Sequence, residues 1–222
     1  MPRIFRILPD EGVMHLLTRG NNRQQIFKDD VDYKAYLYFL QRYKQENSII
    51  VYHYCLVPNH VHLIVALNSK SNLSRFMKQL NLSYFQHFSK RYSHCGHLWQ
   101  GRFKSLIISE DGYLITCGRY IESNPVKAQL VKKPKDYRWS SYNLYAYGER
   151  DDIVTYNPIY LDWGRTKASR QKNYRKNIEE NDGKINFNAR FLGSDEFIRK
   201  MEKKFRVRNI KMHRGRPRKV KK

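Results

Sequence analysis

The stretch Tyr54-Cys55-Leu56-Val57-Pro58-Asn59-His60-Val61-His62-Leu63-Ile64-Val65 restricts the fold more than any other part of the chain. Apolar, largely β-branched residues lie on both sides of Pro58-Asn59, a pair that ends one extended segment and turns the chain into the next. Residues 49–56 and 60–66 therefore read as two strands of a hairpin. Strand side chains alternate between faces, so His60 and His62 project side by side while Val61 turns away. Two imidazoles on one rigid strand form half of a metal site.

The remaining elements follow from periodicity and capping. Residues 12–18 read as a first strand, followed by a polar loop, Arg19-Gly20-Asn21-Asn22-Arg23. Asp29 and Asp30 open a helix reaching about Gln45, with Tyr33, Tyr36, Leu37, Leu40 and Tyr43 as its buried stripe. Ser71 or Asn72 caps a second helix over residues 73–92. Its apolar face is Leu73, Phe76, Met77, Leu80, Tyr84 and Phe88. Residues 99–108 form a loop entering a fourth strand. A third helix begins at Ser109-Glu110-Asp111, its acids matching the helix dipole. It stops at Asn124, because Pro125 disfavours the α conformation in the residue before it. A short helix closes near Gly148. The order β-α-β-β-α-β specifies an α+β fold of the ferredoxin-like (split β-α-β, RRM-like) kind. That fold is an antiparallel sheet with helices packed on one face.

Domain limits are expected at 1–150 for this unit. Residues 151–190 are polar and charged, a linker or accessory segment, and 191–222 give a short helix capped by Ser194 and a basic tail. No apolar run approaches the roughly 20 residues of a membrane-spanning helix. The first residues lack the apolar core of a signal peptide. Three scattered cysteines imply no disulfide framework and fit a reducing cytoplasm.

Charge bears most directly on partners. There are 43 Lys and Arg against 20 Asp and Glu, a formal net charge of +23. Such an excess repels itself unless a polyanion neutralises it, and nucleic acid rewards each contact through counterion release. Seventeen tyrosines and eleven phenylalanines accompany it. Basic plus aromatic composition suits unpaired bases, which stack on rings while Lys and Arg follow the backbone.

The histidine pair has too few ligands for a structural zinc site, and the sequence lacks Cys-x-x-Cys. A deaminase would carry Glu two residues after His, where this chain has His62. The pair leaves positions open for phosphate oxygens, on which a metal acts as Lewis acid. In the third helix Tyr113, Cys117, Tyr120 and Asn124 share a face. Tyr120 is placed to attack a phosphate, and Asn124 to supply a third ligand one turn on. A free phenol titrates near ~10, so it needs help to deprotonate. Taken alone, His-x-His also describes two satisfied sheet histidines, and Tyr120 a packed core residue.

These residues together resemble a known family. Val57-Pro58-Asn59-His60-Val61-His62, with Tyr120-Ile121-Glu122-Ser123-Asn124-Pro125-Val126 further on, resembles the single-tyrosine HUH transposases, and among them the REP-associated tyrosine transposases. Trp99-Gln100-Gly101-Arg102-Phe103-Lys104 and Trp139-Ser140-Ser141-Tyr142 resemble further stretches of that family, so the likeness covers residues 10–147. The resemblance implies a metal-dependent endonuclease and strand transferase acting on single-stranded DNA beside REP-like hairpins. His60, His62 and Asn124 match its metal ligands, and Tyr120 its nucleophile, with Tyr113 the alternative on the same face. It implies a 5′-phosphotyrosine link, a free 3′-OH, and Mg²⁺ or Mn²⁺ as the metal, which agrees with an oxygen-rich site of few imidazoles.

Arg19, Asn21, Asn22, Arg23, Arg102 and Lys104 are candidate DNA contacts, since Arg grips phosphate and Asn bonds base edges. Around Gly215-Arg216-Pro217, residues Arg214, Arg216 and Arg218 resemble an AT-hook, which enters the narrow minor groove of A·T-rich duplex. A monomer or homodimer, cytoplasmic and associated with the bacterial nucleoid, is expected. The rival reading is a noncatalytic, domesticated nucleic-acid-binding protein or regulator of the same fold.

Overall fold

In the computed structural model, which describes residues 6–180 and 189–209, the chain opens with β1 (Gly12–Arg19) and crosses by α1 (Asp30–Glu46) to β2 (Ile50–Val57). It turns into β3 (His60–Leu67), crosses by α2 (Leu73–Tyr92) and enters β4 (Lys104–Ile108). Strand order is β2-β3-β1-β4, and every neighbouring pair is antiparallel. This is the ferredoxin-like α+β core expected from the sequence.

Capping residues set the helix starts. Asp29 accepts from the backbone N–H groups of Val31 and Asp32, and Asn72 from that of Arg75. The apolar stripes of α1 and α2 are buried at Tyr33, Tyr36, Leu40 and Tyr43, and from Leu73 to Phe88. A polar clasp ties the helices together. Arg91 reaches both Asp29 and Asp32, and Asp32, fully buried, also accepts from Tyr92 at 2.8 Å.

The chain continues through α3 (Gly112–Glu122), α4 (Asn124–Lys127), α5 (Tyr142–Tyr147), α6 (Pro158–Leu161) and α7 (Lys167–Glu180) to β5 (Phe191–Leu192) and α8 (Asp195–Phe205). β2 and β3 are buried along almost their whole length, on both faces. One face rests on α1 and α2. The other, which carries the histidines, is not left open, because α3 lies on it. Gly118 of α3 seats against the ring of His53 in β2. A Cβ at Gly118 would stand 2.7 Å from His53 Cε1, so only glycine permits this approach.

A bulge makes that seat possible. Val51 pairs with Val65, but His53 pairs with Ile64, so Tyr52 is an extra residue in β2. Beyond it, His53 and Cys55 share the face of Ile64 and His62.

A second core of Ile115, Tyr142, Leu144, Tyr145, Ala146, Tyr160 and Tyr174 covers the outer side of α3. The described part of residues 151–190 thus packs against the domain through α6 and α7, with the buried ring of Tyr174 as its anchor. Phe191-Leu192, where no strand was expected, pairs parallel to β4 as a fifth strand. The helix starts after Ser194, which caps it as expected.

Candidate active site

His60 and His62 stand side by side on β3, ring centroids 4.8 Å apart and the rings nearly perpendicular. Their neighbours across β1 are Arg19 and Leu17. Asn59 Oδ1 lies 2.6 Å from His60 Nδ1 and can only accept, so Nδ1 carries the proton and Nε2 keeps its lone pair. His62 Nδ1 lies 2.8 Å from Nε2 of His15 in β1. With a proton on His62 Nδ1, donated to His15, Nε2 of His62 keeps its lone pair as well. Burial lowers the pKa of His60 to about 4, with Arg19 adding to the effect. Burial also holds His62 well below the usual histidine range, helped by His15, His60 and Arg19. Both imidazoles are therefore neutral at neutral pH, the form that binds a metal.

The helix opposite is shorter than the sequence implies. α3 begins at Gly112, because Asp111 serves as its cap, accepting from Tyr113 N–H and from Ser109 Oγ. It ends at Glu122, and Asn124 opens α4 instead of closing α3. Pro125 falls in the first turn of α4, where a missing N–H costs nothing, so the chain bends and stays helical. Tyr120 is partly buried against the main core, with Lys127 Nζ 4.8 Å from its ring centroid. Tyr113, at the start of α3, is 39% exposed.

Asn124 has its amide nitrogen buried without a hydrogen-bond partner among the described residues. Leaving such a donor unpaired costs about 1–3 kcal/mol, and because the NH₂ can only donate, any metal ligation by Asn124 would fall to its amide oxygen. Among the described residues no group of three His, Cys, Asp or Glu can hold a metal. A third ligand beside the histidines must therefore bring another kind of donor, and a carboxamide oxygen is one. Two neutral imidazoles with Nδ1 engaged and one amide oxygen are a donor set that fits Mg²⁺ or Mn²⁺.

Three loops meet at the end of the sheet that holds His60. Gly20 N–H donates to Asn59 O, Asn21 N–H to Leu98 O, and Gln100 N–H to Arg19 O. The Trp99 indole anchors the assembly on α2 by donating to Asn81 O at 2.9 Å. Asn21, Asn22, Arg23, Arg102 and Lys104 are exposed there, and Arg19 partly so. Asn22 and Arg23 have φ of 49° and 60°, a left-handed conformation that costs energy in residues other than glycine. The structure thus gathers these six candidate DNA contacts at one end. Arg214, Arg216 and Arg218 lie outside the described residues.

Sequence reasoning missed three participants. His15 is placed by strand register, which alternation within β1 alone does not reveal. Asn59 reads as a turn residue, and its contact with His60 depends on the rotamer. Lys127 lies beyond Pro125, where the helical face was expected to end.

No helix among the described residues is long and apolar enough to cross a membrane. The sequence model of the family described as "Transposase IS200 like" matches residues 11–124, just over half the chain. A protein of Haemophilus influenzae named as a REP-associated tyrosine transposase is 30% identical over 100 residues, 40% of this chain. That match spans 56% of the relative's own length, about half of it. A solved REP-associated tyrosine transposase, bound to a REP hairpin, superposes with a TM-score of 0.57 at 20% identity, over 70% of this chain and 92% of that one. This structural likeness carries the fold, and the match over residues 11–124, which takes in β1, the histidine pair, α3 and Asn124, carries the family: the chain belongs to the IS200-like transposases.

Proposed function

We propose that this transposase cuts and rejoins single-stranded DNA beside a hairpin, with Tyr120 as nucleophile. The observation that carries the reading is the fixed orientation of the histidine pair. Both Nδ1 atoms are engaged within the protein, so each ring is held in one orientation on the sheet face that α3 crosses, and Nε2 is the nitrogen that would ligate. His60, His62 and Asn124 would hold Mg²⁺ or Mn²⁺, which when bound withdraws charge from the scissile phosphate. Tyr120 Oη attacks phosphorus and gives its proton to solvent, the P–O3′ bond breaks, and the leaving O3′ takes up a proton from solvent. The products are a 5′-phosphotyrosine link and a free 3′-OH, and attack by a 3′-OH reverses the exchange without ATP. Lys127, beside the Tyr120 ring, offers positive charge to the phosphate drawn there.

The loops of residues 19–23 and 99–104 grip the DNA backbone and unpaired bases, as their exposed Arg, Lys and Asn side chains allow. The solved relative's REP hairpin supports a hairpin as the substrate. Arg214, Arg216 and Arg218 add contact to A·T-rich duplex, and the protein works in the cytoplasm at the nucleoid.

The test is incubation with Mg²⁺ and labelled hairpins from the flanks of its own gene, followed by denaturing separation. A covalent adduct in the wild type that Tyr120→Phe removes, with hairpin binding intact, is the expected result. Adducts that persist in Tyr120→Phe and vanish in Tyr113→Phe would move the nucleophile to Tyr113. Binding without any adduct in the wild type would favour the noncatalytic reading.

A further inference from the structure

A fully buried carboxyl group lies between Tyr120 and Asn124 in the chain, and the chemistry above makes no use of it. Glu122 has no exposed surface and accepts from donors on three separate segments. His53 Nδ1, on β2, is 3.0 Å from Oε1. Ser141 Oγ donates to the same oxygen, and the Tyr174 hydroxyl of α7 to Oε2.

The donors are themselves fixed. Asn157 caps α6 by accepting from Tyr160 N–H at 2.8 Å, which orients its amide. Its Nδ2 then donates to His53 Nε2 at 2.9 Å, and His53 must carry its proton on Nδ1, facing Glu122. His53 also stacks on Tyr145, ring centroids 4.4 Å apart. Ser141 Oγ accepts from Tyr54 N–H at 3.0 Å, and its one proton goes to Glu122 at 2.5 Å, much nearer than the other acceptor, Tyr54 O at 3.3 Å. A second tie joins the same helices, because Arg119 Nη1 donates to Asn177 Oδ1 of α7 at 3.0 Å.

We infer that Glu122 is a positioning residue: with Tyr174 it sets the rotation of α3 on the sheet face that carries the histidine pair, and with it the direction of Tyr120 and the point from which α4 and Asn124 start. The inference rests on Tyr120 being the nucleophile. It makes α7, which lies outside the part of the chain the family model matches, a working part of the site. A carboxyl group with three donors from a strand, a loop and a helix has one orientation. An apolar side chain at 122 would let α3 rotate or slide over the sheet. Reaction rates respond to such displacements steeply, because attack requires near-contact distance and alignment.

The discriminating comparison is Tyr174→Phe against Tyr160→Phe. Each removes one hydroxyl from the same aromatic cluster, but the Tyr160 hydroxyl donates to Tyr145 O and not to Glu122. In single-turnover reactions below the melting temperature, Tyr174→Phe should slow adduct formation about tenfold or more, as small misplacements do. Hairpin Kd should stay unchanged, and Mn²⁺ affinity, measured by titration without DNA, should weaken. Tyr160→Phe should leave all three as in the wild type. Equal rates in all proteins, or equal slowing in both variants, would overturn the inference while leaving Tyr120 as the nucleophile. If Tyr174→Phe does not fold, Ser141→Ala removes a different donor from Glu122 and carries the same expectation. If the wild type forms no adduct, the nucleophile assignment fails separately. The coupling is then read from the ¹⁹F resonance of 3-fluorotyrosine at position 120, and a resonance unmoved by Tyr174→Phe overturns it.

Discussion

His62 Nδ1 and His15 Nε2 are 2.8 Å apart, and the two rings stack with centroids 5.0 Å apart. His15 thereby does for His62 what Asn59 does for His60, engaging Nδ1 and holding the ring in one orientation. Outer partners of this kind commonly contribute a factor of about 10–100 in metal affinity. His15→Ala should therefore weaken Mn²⁺ binding by about that factor. His15→Gln, which can still accept from His62, should restore part of it. Unchanged affinity in His15→Ala would make the stacked pair a matter of packing alone.

Removing the pair itself should be more severe. His60→Ala with His62→Ala is expected to abolish cleavage of labelled hairpins, without rescue by added Mn²⁺. Binding of the hairpin to the loops around Arg23 and Arg102 should survive. Normal cleavage by the double variant would show that the histidines are structural.

The DNA-gripping loops can be tested by salt. Removing one cation that neutralises a phosphate should lower the slope of log K against log salt by about 0.7 for single strands. Arg23→Ala with Arg102→Ala should flatten the slope accordingly and weaken binding to all sequences alike. A parallel line, displaced but not flattened, would exclude both from phosphate binding.

Gly118→Ala addresses the seat of α3. The new methyl would meet His53, which cannot withdraw because two hydrogen bonds and the Tyr145 ring hold it. Overpacking of this kind costs about 1–3 kcal/mol, which calorimetry would register as a lower Tm. An unchanged Tm would mean that α3 can lift from the sheet at little cost.

The α1–α2 clasp gives a pH signature. The hydrogen bond from Arg91 holds Asp29 down to about 2, from an ordinary value of 3.8. A carboxyl group whose pKa is lower in the folded state adds stability above its unfolded pKa and loses it as protons bind. The loss should therefore run from about pH 4 down to about 2. Asp29→Asn keeps a good helix cap but not the charge, and should remove that part of the Tm decline. An identical decline in the variant would assign the acid sensitivity to other groups.

Much of this was legible in the sequence. The strand and helix order, the Asn72 cap and both apolar stripes follow from local rules that the structure keeps. The histidine pair is a two-residue spacing on one strand, the simplest pattern alternation can offer. What was hidden depends on register and on extra residues. The i, i+2 rule puts Val51 and His53 on one face, and the bulge at Tyr52 separates them. The contact between His15 and His62 depends on which residues of β1 and β3 are paired, which neither strand specifies alone. α7 has the composition of a solvated segment, because its one aromatic, Tyr174, is its buried anchor and the ties around it, such as Arg119 to Asn177, are polar. The strand at Phe191-Leu192 is two residues long and exists only because the edge of β4 is available to it.

The extra residue at Tyr52 carries a lesson for transplanting this region. A regular ladder continued from Val51 would leave every letter of His60-Val61-His62 intact, yet put Tyr52 opposite Ile64 and turn His53 to the other side of the sheet. Gly118 would lose its counterpart and Glu122 one of its donors. A scaffold that borrows the hairpin without this phase shift would inherit a recognisable signature and no place to lay the helix. The reading frame of β2, counted in side-chain directions instead of codons, is as much a part of the site as the histidines.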